Sequence, residues 1–95
     1  MNVSETGLLI NKRFFHTIEV LKQMHILGGP HGFARKYGIN VGNIYTIKKE
    51  PDKHFVNAEW LSFLVTDFDV SAEYLLTGKG NMFNKCVKEI ISKLK

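Results

Sequence analysis

The stretch FARKYGINVGNIYTI, residues 33–47, decides the fold. Ala34 is followed four positions later by Gly38, which precedes Ile44 by six positions and Ile47 by nine. Two short helices that cross steeply over a tight turn need these residue types at these places. The small residue permits close approach, the glycine turns the chain, and the apolar pair seats the second helix on the core. The spacing therefore predicts a helix-turn-helix.

Apolar residues recur at helical spacing along the rest of the chain, and no run alternates long enough to predict a strand. The fold class that follows is all-α. The predicted helices are Lys12–His25, Pro30–Tyr37, Val41–Lys49, Ala58–Phe68, Ala72–Thr77 and Lys85–Leu94. On the first helix we expect a buried face of Phe14, Ile18, Leu21 and Met24 or His25. On the fourth we expect Trp60, Leu61, Leu64, Val65 and Phe68.

Four of the predicted helix starts share one capping arrangement. A polar capping residue is preceded by an apolar residue and followed, four positions later, by another apolar residue that packs against the first. The sets are Ile10/Asn11/Phe15, Ile39/Asn40/Ile44, Val56/Asn57/Leu61 and Val70/Ser71/Leu75. We therefore expect the second residue of each set to cap its helix.

Length and composition limit the protein's class. Its 95 residues, 44% of them apolar, predict a single domain over residues 1–83 with an additional helical segment at 84–95. The lone cysteine, Cys86, cannot form an internal disulfide, which fits a reducing compartment. No apolar run approaches the length of a membrane span, and the first residues lack a signal pattern. We expect a cytoplasmic protein without a membrane partner.

Charge is distributed unevenly within a net charge of +4. Residues 30–56 carry a net +3, residues 57–78 carry −4 without any basic residue, and residues 79–95 carry +4. Such segregation indicates that one stretch faces an anionic partner, although an ordinary solvated surface gives the same counts.

These motifs resemble the DNA-binding domain of phage repressors of the lambda and Cro type, a large XRE-like group of compact five-helix regulators. The resemblance covers about residues 12–83. Ala34, Gly38, Ile44 and Ile47 fall on the family's signature positions, and SAEYLLTGKGNMF, residues 71–83, is similar to the end of that domain. The resemblance implies a sequence-specific transcriptional regulator, namely a phage or mobile-element repressor that binds a double-stranded DNA operator as a homodimer.

The resemblance also implies a set of DNA-contacting residues on the second and third helices. The third helix would enter the major groove and read bases with Asn40, Val41, Gly42, Asn43, Tyr45 and Thr46. Phosphate contacts would come from His31, Arg35, Lys36, Lys48 and Lys49, and the backbone N–H groups of Val41 and Gly42 could hold a further phosphate.

This sequence departs from the family pattern at two positions. Pro30 stands where the family often has a glutamine or another polar residue that contacts the DNA backbone. Gly42 offers no side chain to a base. It is interpreted either as a packing or capping glycine or as a site of close approach to DNA.

Nothing in the sequence predicts an enzyme, a cofactor or a metal site. The glycine-rich residues 28–32 lack the strand and the Gly-Lys-Ser/Thr sequence of a phosphate loop. The four histidines lack metal-ligand spacing, and no pair of carboxylates is placed for acid–base chemistry. Two other functions stay open: an antitoxin-like protein and a protein-interaction module without specific DNA readout. A toxin or a polymerase as a partner is also left open.

The last predicted helix bears an apolar stripe of Val87, Ile90, Ile91 and Leu94. A stripe of this kind is normally buried. We expect it in the interface of the homodimer, and the alternative is that it packs back on its own domain.

Overall fold

Five α-helices make up the fold of residues 3–84, the part of the chain that the computed structural model describes. They are α1 (Glu5–Gln23), α2 (Gly29–Tyr37), α3 (Val41–Lys49), α4 (Ala58–Phe68) and α5 (Ala72–Thr77). The all-α prediction is confirmed over this range. The bounds of α3, α4 and α5 are those predicted, and α2 begins one residue earlier. The predicted helix Lys85–Leu94 lies outside the described residues.

The chain divides into two units, Met1–Val56 and Asn57–Lys95. In the first, α1 packs against α2 and α3. Its core contains an edge-to-face pair of Phe14 and Phe33, whose ring centroids lie 5.5 Å apart. Burial of such side chains contributes about 1.5–3 kcal/mol each. The buried apolar residues of this unit are Ile10, Phe14, Ile18, Leu21, Leu27, Phe33, Ala34, Ile44, Ile47 and Val56.

In the second unit, α4 packs against α5. Its buried apolar residues are Trp60, Leu61, Leu64, Phe68, Val70 and Leu75. Val65, predicted on the buried stripe, is only half-buried. After α5 the chain returns to form one antiparallel bridge between Val70 and Phe83.

Three of the four predicted caps are confirmed. Asn40 accepts a hydrogen bond from the backbone N–H of Gly42, and Asn57 accepts one from that of Glu59, each at 2.8 Å. Ser71 caps α5 by accepting from the N–H of Tyr74 at 3.2 Å. Each bond satisfies one of the backbone donors that a helix start leaves without an intrahelical partner.

The prediction for α1 was wrong at both ends. The helix begins at Glu5, seven residues before the predicted start, because Ser4 caps it by accepting from the N–H of Gly7 at 3.1 Å. Asn11 is therefore not a cap but lies in the helix interior. At the other end, α1 stops at Gln23, and His25 has a positive φ of 60° that no helix residue adopts. Met24 is half-buried and His25 is exposed.

Candidate nucleic-acid interface

A three-residue turn, Gly38 to Asn40, connects α2 to α3. Gly38 adopts the left-handed conformation with φ 65°, and the N–H of Ile39 donates to the carbonyl of Ala34 at 2.9 Å. A Cβ at Gly38 would meet no atom within 4 Å, so backbone conformation rather than space requires glycine there. The turn fixes where α3 begins relative to α2.

The α3 helix has one buried and one exposed face. Ile44 and Ile47, three residues apart, are 1% and 7% exposed and attach the helix to the core of the first unit. Of the predicted base-reading residues, Val41 is half-buried and the other five are exposed: Asn40, Gly42, Asn43, Tyr45 and Thr46. The five predicted phosphate-contacting residues are all exposed as well: His31, Arg35, Lys36, Lys48 and Lys49.

Two of the predicted base-reading side chains are hydrogen-bonded within α3. The Oδ1 atom of Asn40 accepts from Gly42, and the hydroxyl of Thr46 donates to the Gly42 carbonyl at 2.8 Å. The outward donor of Asn40 is thus its amide nitrogen. Thr46 can offer a base only its methyl group and its hydroxyl lone pairs.

Gly42 serves the cap of its own helix. Because its N–H donates to Asn40, this N–H is not available for the phosphate contact predicted for it. A Cβ at Gly42 would lie 3.0 Å from Oδ1 of Asn40, which is closer than most real contacts. The geometry supports the interpretation as a capping glycine.

Tyr45 lies between a residue of α2 and a residue of its own helix. Its ring centroid is 5.3 Å from that of His31, with the two planes tilted by 55°. The Nζ atom of Lys48 lies 5.7 Å from the Tyr45 centroid on α3. The structure thus brings one predicted base-reading residue, Tyr45, into contact with two predicted phosphate-contacting residues, His31 and Lys48. The sequence offered no signal for the His31 contact, because it depends on how α2 and α3 cross.

One lysine beyond α3 has an acidic partner. Lys53 forms an ion pair with Glu50 at 3.0 Å. The hydrogen bond from Lys53 and its positive charge lower the pKa of the Glu50 carboxyl. The same bond and the negative charge of Glu50 raise the pKa of Lys53. This lysine contributes less to the positive potential near α3 than the sequence count suggests.

Asn11 is the residue that sequence reasoning misassigned and that holds the segment after α3. Its fully buried side chain donates to the carbonyls of Pro51 and His54, at 2.9 and 2.6 Å, and accepts from the N–H of Val56 at 2.9 Å. These bonds tie the segment that follows α3 to α1. The sequence contained a signal for the burial of Asn11 but not for its partners, because Asn11 lies at helical spacing from the buried residues Phe14 and Ile18.

Neither a metal site nor a membrane span occurs within residues 3–84. No group of three or more His, Cys, Asp or Glu side chains there could hold a metal ion. None of the five helices has the length and hydropathy needed to cross a bilayer. No family model, curated protein or solved structure matches the chain.

Proposed function

We propose that this protein binds duplex DNA sequence-specifically and regulates transcription as a repressor of the phage type, by occupying an operator. In this proposal α2 and α3 act as a helix-turn-helix, and α3 lies in the major groove. The observation that carries it is the geometry of α3. One face is anchored by Ile44 and Ile47, while the opposite face is exposed and is flanked by cationic residues of both helices.

Base reading falls mainly to Asn43 and Thr46. The exposed amide of Asn43 has the donor and acceptor that adenine presents in complementary form in the major groove. The hydroxyl of Thr46 already donates to the Gly42 carbonyl, which leaves the methyl group of Thr46 to pack on the methyl group of thymine. Asn40 has a smaller part in reading, since its oxygen caps α3.

Phosphate binding falls to the cationic residues at both ends of the exposed surface. Arg35 and Lys36 lie in the last turn of α2, and Lys48 and Lys49 in the last turn of α3. Such contacts fix register on the duplex and contribute affinity, but they carry little sequence information. The ring of Tyr45 contacts both the ammonium group of Lys48 and the imidazole of His31, two of the residues proposed to contact phosphate.

We further propose that the protein acts as a homodimer. A single recognition helix contacts only a few base pairs, and dimers of this kind read two half-sites about one helical turn apart.

The second candidate function is protein binding, either as an antitoxin-like protein or as an interaction module without specific DNA readout. Two observations favour it: Leu9 and Phe55 expose 43% and 48% of their surface, and the side chains of Asn40 and Thr46 are bonded within α3. Exposed apolar residues of this size suit a protein partner better than a phosphate backbone. The two candidates differ in one measurable property, the dependence of duplex binding on sequence.

The test measures affinity for labelled duplexes of different sequences, each at several salt concentrations. A module with several phosphate contacts loses about two to four orders of magnitude in affinity between 50 and 200 mM salt. Lys49→Ala should weaken binding to every duplex and reduce the salt slope by about one. Lys79→Ala, an exposed lysine after α5, is the control and should change neither. Affinity that does not vary with salt or sequence would leave the protein-interaction function as the better explanation.

A further inference from the structure

The second unit has an apolar groove that the proposed DNA contacts do not use. It lies between α4 and α5, encloses about 300 Å³ and is lined by Ala58, Leu61, Ser62, Val65, Ala72, Leu75 and Leu76. Leu76 at this groove is 50% exposed. Ser62 is the only lining residue with a polar side chain. A groove of this composition suits the apolar face of a helix.

The surroundings of the groove are acidic. Residues 57–78, which contain both helices, include Glu59, Asp67, Asp69 and Glu73 and no lysine or arginine. An occupant with an apolar stripe and basic flanks would match the groove in both hydropathy and charge.

The chain itself contains such a segment at residues 85–95, outside the described range. Its sequence, KCVKEIISKLK, places Val87, Ile90, Ile91 and Leu94 at helical spacing and carries four lysines against one glutamate. The stripe and the lysines are therefore complementary to the α4–α5 groove.

The described part of the chain ends beside the connection between α4 and α5. Residues 82–84 run antiparallel to residues 69–71, held by bonds from Ser71 N–H to the Met82 carbonyl and from Asn84 N–H to the Asp69 carbonyl, at 2.7 and 3.0 Å. At Asn84 the chain thus heads opposite to the direction in which Ser71 leads into α5. Residues 85–95 therefore follow directly on a stretch that is paired with the connection between the two groove-lining helices.

We infer that the α4–α5 groove binds residues 85–95 of a second copy of this chain, so that two protomers exchange these segments reciprocally. Each protomer has one groove and one segment, so a closed two-fold dimer fills both grooves and uses both segments. The inference deepens the proposed function, from which it takes the need for two protomers on adjacent half-sites.

The first test is sedimentation equilibrium of the full chain. Wild type is expected to be a dimer, and Leu76→Glu and Ile91→Glu should each raise the dimer dissociation constant about tenfold or more, because each buries a charge in the interface. Thr66→Glu is the control, since Thr66 is exposed on α4 but does not line the groove, and it should dimerise like wild type. Melting curves establish that the variants are folded.

The second test uses Cys86, the only cysteine, and does not depend on a disruptive variant. Ser62→Cys adds a thiol in the groove, and a short bismaleimide should link it to Cys86 of the other protomer, giving a covalent dimer. The Ser62→Cys/Cys86→Ser variant and wild type control for links between identical positions. A link within one chain, a wild-type monomer at high micromolar concentration, or a dimer that Leu76→Glu does not weaken would overturn the inference. A dimer with no duplex preference would instead overturn the proposed DNA function alone.

Discussion

The ring centroid of Tyr45 on α3 lies 5.3 Å from that of His31 on α2, and this contact links the two helices. We predict that Tyr45→Ala weakens binding to every duplex by about 1 kcal/mol, because the ring pair and the contact with Lys48 are both lost. Tyr45→Phe keeps the ring and should lose at most half as much affinity as Tyr45→Ala. Fluorescence anisotropy on one duplex checks both. Equal losses in the two variants would show that the hydroxyl, not the ring, matters.

A second prediction compares two caps with the same geometry. Asn40 and Asn57 each accept one backbone N–H at 2.8 Å, at the starts of α3 and α4. Replacing either with alanine should lower the free energy of unfolding by about 1 kcal/mol. Only Asn40→Ala should also reduce duplex affinity, because α3 contacts DNA in the proposal and α4 does not. Thermal melts and anisotropy measure the two effects. If both variants lose the same duplex affinity, α3 has no special part in binding.

A third prediction concerns the buried Asn11. Asn11→Ala leaves two carbonyls and the N–H of Val56 without their partner, and it should lower the free energy of unfolding by about 2–3 kcal/mol. Asn43→Ala is the control. That asparagine is exposed, and its loss should change stability by less than about 0.5 kcal/mol. Urea denaturation gives both values, and comparable stabilities would contradict the role assigned to Asn11.

The ion pair after α3 predicts a pH dependence with a defined sign. The pKa of Glu50 is lowered from its ordinary value of 4.5 by Lys53, so the stability that the pair contributes is present above pH 4.5. It is lost as the pH falls through the lowered pKa. The effect on stability is small, because both side chains are exposed.

An NMR titration of the Glu50 carboxyl tests this pair. The midpoint should lie below 4.5 in wild type and rise toward 4.5 in Lys53→Ala. Lys48→Ala is the matched control and should leave the midpoint unchanged. A midpoint that does not respond to the loss of Lys53 would show that the ion pair is absent in solution.

Local signals in the sequence were sufficient to predict the boundaries of α3, α4 and α5. At each of these helices a capping residue coincides with the start of an apolar period, so both signals give the same boundary. At Asn11 the two signals conflicted. The pattern Ile10/Asn11/Phe15 resembles a cap, but the asparagine satisfies backbone groups 40 to 45 residues away. A bond over that separation cannot be inferred from local spacing.

The sequence was sufficient to predict which residues form the candidate surface, but not the contacts that their side chains make. Exposure of the cationic residues follows from helical periodicity once Ile44 and Ile47 are known to face the core. The bond from Thr46 to Gly42 and the contact between Tyr45 and His31 depend on rotamers and on helix crossing. These details decide which atoms remain available for the proposed DNA contacts.

Selection of bound sites from random duplex DNA tests most directly whether α3 reads duplex sequence. Wild type should enrich a two-fold related motif with half-sites about one helical turn apart. Thr46→Ala, selected in parallel, should lose preference at one position of each half-site, corresponding to about 1 kcal/mol of discrimination for the lost methyl contact, while Lys49→Ala enriches the unchanged motif. A wild-type selection that enriches no motif, or a motif identical for Thr46→Ala, would contradict the claim.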